Sequence, residues 1–324
     1  DSTPRQFAVN FCRAMSNDLA LRHEPITELF PRPKDPAEWE RQLLAEEQLV
    51  HYKEHGFVNG IRLLSDEQID VLRAELTEMT DPNHEGHELF YEYHSNESGD
   101  PDSVLFHALG AWRVRPAFHD ILWNPAFLLP AYQLLGKKFR LFHDQLFSKP
   151  AKHGGVVAWH QDFSYWTWTQ PMAHLTCWIG LDDATEENGC MHYIPRSHQW
   201  GLLKKTGLAG DMNSVREVLT PEQVSDFENQ CPVVLKKGEC SFHHPLMMHG
   251  SYENKSNRPR RATVINVFAD GVTSNFEGGH SPGTENFPML PKGEKMAGDF
   301  YPLLFDPAEQ LGELADTIKT INDV

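Results

Sequence analysis

The stretch Val156-Val157-Ala158-Trp159-His160-Gln161-Asp162 decides how this chain is read. His160 and Asp162 are two residues apart, and on an extended backbone the side chains at i and i+2 leave the same face. An imidazole and a carboxylate then stand side by side over one point, whereas a helix would turn them apart. One strand cannot wrap three ligands around a metal, so the third must come from a different strand. His249 meets that need, near the end of the run His243-His244-Pro245-Leu246-Met247-Met248-His249-Gly250-Ser251. Two histidines and one carboxylate form a facial set that leaves coordination positions open, the arrangement of non-haem iron(II) sites. The ligand types suit Fe(II); by themselves they leave zinc and manganese open.

The surrounding text has the matching texture. From residue 139 onward, short apolar runs alternate with turn signals. The strands expected are Phe139–Phe147, Val156–His160, His174–Leu181, Met191–Ile194, Val233–Leu235, Glu239–Phe242, Met247–His249 and Ala262–Phe268. Glu187-Asn188-Gly189 carries a hairpin signal. Many short strands of this kind suggest a sandwich or barrel rather than a parallel sheet. After His249 the chain turns through Asn254-Lys255-Ser256-Asn257, and Arg260 opens a return strand that can bring its side chain beside the metal face. A planar guanidinium suits a carboxylate better than an ammonium does.

Ahead of this β-rich part, helical spacing predicts a helix over residues 37–54. Ser65-Asp66-Glu67-Gln68 opens another with a capping box, and Ile69, Leu72, Leu76 and Met79 form its buried stripe. Residues 81–101 read as a loop. Helices are expected over 116–122 and 125–135, a helical insertion over 220–230 and a closing helix over 307–321.

Composition sets limits on partners. The net charge of −17 argues against nucleic acid, because phosphate binding needs a basic face. The five cysteines (Cys12, Cys177, Cys190, Cys231 and Cys240) are odd in number, widely spaced and without a Cys-x-x-Cys pair, which suits a reducing compartment. No apolar run is long enough for a membrane span, and Asp1-Ser2-Thr3-Pro4 does not open a secretory signal. A cytoplasmic protein without a membrane partner is the expectation.

Several blocks together resemble the phytanoyl-CoA dioxygenase family. They are Gly56-Phe57-Val58 with Leu64-Ser65-Asp66-Glu67-Gln68-Ile69; Trp159-His160-Gln161-Asp162; Trp178-Ile179-Gly180-Leu181-Asp182-Asp183; Glu187-Asn188-Gly189-Cys190-Met191; and His249-Gly250-Ser251 with Arg258-Pro259-Arg260-Arg261-Ala262. The likeness runs over residues 48–305 and leaves residues 1–47 as an N-terminal extension to a single domain, 48–324. It implies a mostly β fold with flanking helices, a double-stranded β-helix (a cupin-like jelly roll). It also implies an Fe(II)- and 2-oxoglutarate-dependent dioxygenase that uses dioxygen to hydroxylate a small organic substrate, releasing succinate and carbon dioxide. The likeness maps the metal onto His160, Asp162 and His249. It maps the far carboxylate of 2-oxoglutarate onto Arg260 rather than Arg261, since neighbouring strand residues face opposite sides. Gln161, Trp178 and Thr176 fall at positions expected to line the cosubstrate pocket. Arg196 departs from the glycine common in the family. Asp162 is intact, whereas related halogenases lack that ligand, so hydroxylation is the expected chemistry.

Other residues carry weaker signals. Phe163, Tyr165 and Trp166, with Trp168, follow the metal pair and read either as core or as a wall over the open positions. His153, His174, His192, His198, His243 and His244 read as hydrogen-bonded structural residues, with His244 the one competitor to His249. A zinc-dependent hydrolase with the same ligands, and a non-catalytic binding protein on the same fold, are the competing functions.

Overall fold

A computed structural model of the chain describes residues 17–207, 211–278 and 286–324. Cys12 and the first part of the N-terminal extension lie outside the described residues. In chain order the strands are β1 (Phe57–Arg62), β2 (Glu92–His94), β3 (Phe106–Leu109), β4 (Phe139–Lys149), β5 (Val157–His160), β6 (Thr169–Gln170) and β7 (His174–Gly180). Then follow β8 (Met191–Tyr193), β9 (Cys231–Val233), β10 (Glu239–His243), β11 (His249–Ser251), β12 (Arg260–Ala269), β13 (Thr273–Ser274) and β14 (Leu303–Phe305).

Two antiparallel sheets dominate. The larger runs β1-β10-β7-β12-β4-β3-β2, with β14 also on β4; the smaller runs β5-β11-β8-β9. The chain passes back and forth between them: β4 large, β5 small, β7 large, β8 small, β10 large, β11 small, β12 large. That alternation makes a double-stranded β-helix. One face of the large sheet (Leu141, Leu146, Cys177, Ile179, Cys240, Phe242, Ile265) joins the main core with the helices. The opposite face (Gln145, Phe147, Thr176, Trp178, His243, Val264) looks across a cavity to the small sheet. Period-two alternation along β7, β10 and β12 sorts these two sets, and in β4 a bulge opposite Asn266 and Val267 shifts the phase between Leu141 and Gln145.

The helix Asp66–Met79 begins on Ser65, with Gln68 completing the capping box, and buries Ile69, Leu72, Leu76 and Met79 as expected. Helices Pro116–Asp120, Pro125–Leu135 and Pro221–Phe227 also fall where the sequence puts them. Several expectations need correction. The helix over 37–54 is two pieces, Pro36–Glu40 and Glu46–His55. Between them the Leu44 amide donates to Gln133 Oε1 (2.7 Å), which holds the backbone out of the helix. The closing helix stops at Gln310 and continues only as a 3-10 turn, Gly312–Thr317. The loop over 81–101 contains β2, which pairs with β3, an unanticipated strand. Glu187-Asn188-Gly189 makes a turn but not a hairpin, because it joins β7 and β8 in different sheets. The return from His249 to Arg260 likewise crosses between sheets: β11 lies in the small one and β12 in the large one.

Part of the N-terminal stretch is irregular yet integrated. Phe30, Trp39 and Leu44 are buried in the main core. Asp120 receives the backbone amides of Ile26 (2.9 Å) and Thr27 (2.6 Å). Among the described residues no helix is long and apolar enough to cross a membrane, and Cys177, Cys190, Cys231 and Cys240 are all free thiols.

Candidate metal centre and active site

Strand register brings the two histidines together. His160, the last residue of β5, pairs with His249, the first of β11. Directly opposed residues of an antiparallel pair hold their Cβ atoms about 5 Å apart, and here the imidazole centroids are 4.1 Å apart. Gln161 stays extended (φ −110°, ψ 130°) before a 3-10 turn starts at Asp162, so Asp162 returns to the face of His160. Its Oδ1 lies 3.5 Å from His160 Nε2 and 3.7 Å from His249 Nε2. One ligand atom from each of the three residues falls within 4.8 Å of the others, and all three side chains are buried.

Each ligand is oriented from behind. Nδ1 of His160 donates to the Ala158 carbonyl (2.8 Å) and Nδ1 of His249 to the Met247 carbonyl (2.9 Å). Both rings therefore present an unprotonated Nε2 to the shared point, the orientation a metal needs. The other oxygen of Asp162, Oδ2, accepts from Thr176 Oγ1 (2.7 Å) and His243 Nε2 (3.1 Å). The Tyr193 hydroxyl in turn donates to His243 Nδ1 (2.9 Å). Burial alone would raise the Asp162 carboxyl, but His249, His160 and His243 around it hold it well below the usual carboxylate range. Burial, then the neighbouring His160, pushes His249 well below the ordinary imidazole value, so it stays neutral. An ionised carboxylate beside two imidazoles whose Nδ1–H groups are engaged on backbone carbonyls is a donor set that fits a divalent cation.

A cavity of about 60 Å³ runs from these ligands between the sheets to Arg260, with Thr176, Trp178 and Ser251 on its walls. Arg260 is 2% exposed. Its Nη2 donates to the Gly189 carbonyl (3.0 Å) and approaches Ser251 Oγ (3.4 Å), and its guanidinium lies 5.4 Å from the Trp178 ring. Its Nε is buried without a hydrogen-bond partner. Burial pulls its pKa down to about 10, so it is still a cation at neutral pH. Lys149, also fully buried, reaches Ser251 Oγ (2.7 Å) and the Tyr252 carbonyl (2.6 Å) close by. Burial and then the neighbouring Arg260 pull the Lys149 amine well below its ordinary value, so Arg260, a buried cation with an unused N–H, is the group that calls for an anion in this cavity. Arg261 faces the other way, on Asp182 (2.8 Å).

A second cavity, about 210 Å³, opens from His160 and Asp162 on another side, walled by Tyr165, Trp166, Trp168, Phe142 and Phe287. Tyr165 and Trp166 therefore do line open space beside the ligands. Phe163 does not: its ring packs against His174 at 5.4 Å. Gln161 does not line the cavity that reaches Arg260. Extended geometry turns it away from its two neighbours, and its amide is used up on backbone, donating to Gly201 and Leu246 carbonyls (2.9 Å each) and accepting from the Leu203 amide (2.7 Å). Thr176 and Trp178 line the cavity, and Thr176 also braces Asp162. His244 lies away from the ligands, against His198. His243, one of six histidines read from the sequence as hydrogen-bonded structural residues, is the one whose bond goes to Asp162. Its only textual signal is alternation with Ser241 along β10, and its meaning needs the pairing of His243 with Thr176.

Comparison with known proteins agrees with this geometry. The family described as Phytanoyl-CoA dioxygenase (PhyH) matches residues 52–262. A phytanoyl-CoA dioxygenase of Arabidopsis thaliana is 29% identical over 153 residues, 47% of this chain and 52% of that protein, so the match spans about half the relative's length. A methylphosphonate hydroxylase of Gimesia maris is 26% identical over 234 residues, 70% of this chain and 83% of that protein. In fold, the chain is similar to the crystal structure of the non-haem α-ketoglutarate-dependent carbocyclase SnoK, with a TM-score of 0.66 at 23% identity, covering 81% of this chain and 97% of that one. With the family match running from Tyr52 in the helix before β1 to Ala262 on β12, and so across all three converging side chains and Arg260, this chain belongs to the phytanoyl-CoA dioxygenase family.

Proposed function

We propose that the protein is an Fe(II)- and 2-oxoglutarate-dependent oxygenase that hydroxylates an unactivated carbon of a small molecule. The observation that carries this reading is a pairing within one cavity. A three-ligand face with open positions stands at one end, and a buried guanidinium with an unused N–H stands at the other. A zinc hydrolase has no use for the second group; a dicarboxylate cosubstrate does.

His160, Asp162 and His249 would hold the iron. Iron with 2-oxoglutarate and dioxygen supplies the oxidising chemistry, with succinate and carbon dioxide as co-products. The protein's own part is positional. Ala158 and Met247 fix the imidazole tautomers, and Thr176 and His243 fix the carboxylate. Arg260 receives the far carboxylate of 2-oxoglutarate in a dry, low-dielectric slot where a charge-assisted pair is strong. Trp178 and Val264 keep water from its sides. The aromatic walls of the larger cavity exclude water from the place where substrate carbon meets the metal.

The test is Arg260→Ala assayed for succinate formation, with bound iron measured in parallel. The reading predicts that the apparent KM for 2-oxoglutarate rises at least tenfold while iron content is unchanged. Equal turnover at the wild-type KM removes Arg260 from the scheme. Zinc-supported hydrolysis without oxygen consumption would replace the oxygenase reading.

A further inference from the structure

The larger cavity carries charge that the proposed reaction does not use. Glu92, on the edge strand β2, and Glu97 both line it. Glu97 has a partner: its Oε2 lies 2.9 Å from His107 Nδ1, and His107 Nε2 donates to Gln145 Oε1 (3.0 Å). Burial opposes the proton on His107, but the Glu97 carboxylate outweighs it and holds the imidazole above its ordinary pKa. Glu97 and His107 thus cancel. Glu92 shares the field of that same imidazole, and among the described residues its ion-pair partner is His94, with Nε2 3.8 Å away on a side chain 38% exposed. Burial still pushes the Glu92 carboxyl upward, against the pull of His107 and His94. Lys205, also on the cavity wall, sits instead over the Tyr165 ring at 4.2 Å.

The rest of the cavity is built to receive something. Phe142 and Trp166 meet at 82° with centroids 5.3 Å apart, and Trp168 and Phe287 at 73° and 5.4 Å, so ring faces and edges wall it on several sides. His143, 3% exposed, lines it too. Its Nδ1 accepts from the Asn266 amide (3.2 Å), and the Asp144 backbone also engages the ring. Burial pulls His143 down to about 3, so the ring brings no charge to the cavity. Aromatic walls with two carboxylates, Glu92 and Glu97, around the single buried imidazole of His107 are features that attract an organic cation.

We propose that the prime substrate is a small molecule carrying a protonated amine, with the ammonium on Glu92 and the carbon skeleton between Phe142, Trp166, Trp168 and Phe287. The oxygenase reading enters only in placing that skeleton beside the metal ligands.

Calorimetric titration of the whole protein tests it, using cyclohexylammonium, n-hexylammonium and piperidinium against their N-acetyl derivatives, with hexanoate as the anion control. Titrations run anaerobically with Fe(II) and 2-oxoglutarate, and again on the metal-free protein. The expected result is binding of at least one ammonium ion at least tenfold tighter than its acetylated partner and than hexanoate. In Glu92→Gln that advantage falls at least tenfold. Acetylated or anionic probes binding as tightly as the ammonium ions, no ammonium ion binding at millimolar concentration, or an undiminished advantage in both Glu92→Gln and Glu97→Gln overturns the inference. Visible absorption of the iron–2-oxoglutarate complex, recorded on the same samples, reads the oxygenase assignment separately. Its absence with ammonium selectivity retained would sink that assignment and leave the cation site standing.

Discussion

Asp162 divides its two oxygens. Oδ1 faces the imidazoles, while Oδ2 is held by Thr176 and His243. A carboxylate tied at one oxygen has little freedom at the other, so its supports govern how well it binds a cation. Thr176→Val and His243→Leu should each weaken Fe(II) affinity about 10–100-fold. Anaerobic metal competition measures this, with the unfolding midpoint as a control for global damage. Unchanged affinity in both variants would mean that Oδ2 has no part in holding the site. The ligands themselves were legible because the i,i+2 rule needs only that residues 160–162 be extended. His243 was not legible: six histidines crowd the text, and only strand register tells which one reaches Asp162. Gln161 was misplaced for a related reason. Resemblance gave it a pocket, whereas the alternation that joins its neighbours turns it away.

At the level of elements, the turn between β7 and β8 shows how a local signal can be right in kind and wrong in consequence. Gly189 has φ +78°, and a Cβ there would sit 2.3 Å from the Tyr252 carbonyl oxygen. The same residue's carbonyl accepts from Arg260. Gly189→Ala should therefore cost roughly 2 kcal/mol of stability and also raise the KM for 2-oxoglutarate. Urea unfolding and steady-state kinetics check the two effects, and an unstrained, fully active variant would contradict both. The capping box is simpler. Ser65 accepts from the Gln68 amide (3.2 Å), and Ser65→Ala should cost about 1 kcal/mol in urea unfolding with no change in turnover. The helix after Ser65 was legible because cap, stripe and propensity agree. The stretch over 37–54 was not, since its break depends on Gln133, which lies 89 residues further along. The strands β4, β5, β7, β8, β10 and β12 were found, β9 and β11 were displaced by two residues, and the division into two sheets was not legible. With both faces of the large sheet buried, the sequence gives no inside–outside contrast by which to sort them.

For the molecule as a whole, two imidazoles outside the ligand set report on pH. His143 and His174 are both pulled down to about 3, chiefly by burial. Below pH 6.5 the unfolded chain takes up protons that the folded chain refuses. Stability therefore falls with decreasing pH, by about 1.4 kcal/mol per unit for each residue, until pH approaches 3. Asp144, pushed up to about 7 by burial, acts in the opposite direction between about pH 4 and 7. The clean measurement is consequently a difference. The stability–pH slope of His174→Gln between pH 5 and 6.5 should be shallower than wild type by about 1 kcal/mol per unit, and parallel slopes would contradict neutral burial. The account as a whole depends on residues 160, 162 and 249 meeting at one metal, and anaerobic Fe(II) titration with 2-oxoglutarate present tests that most directly. The wild-type protein should bind one iron per chain and develop visible charge-transfer absorption, and His249→Ala should lose the absorption and most of the affinity. Full iron binding with undiminished absorption in His249→Ala would contradict the account.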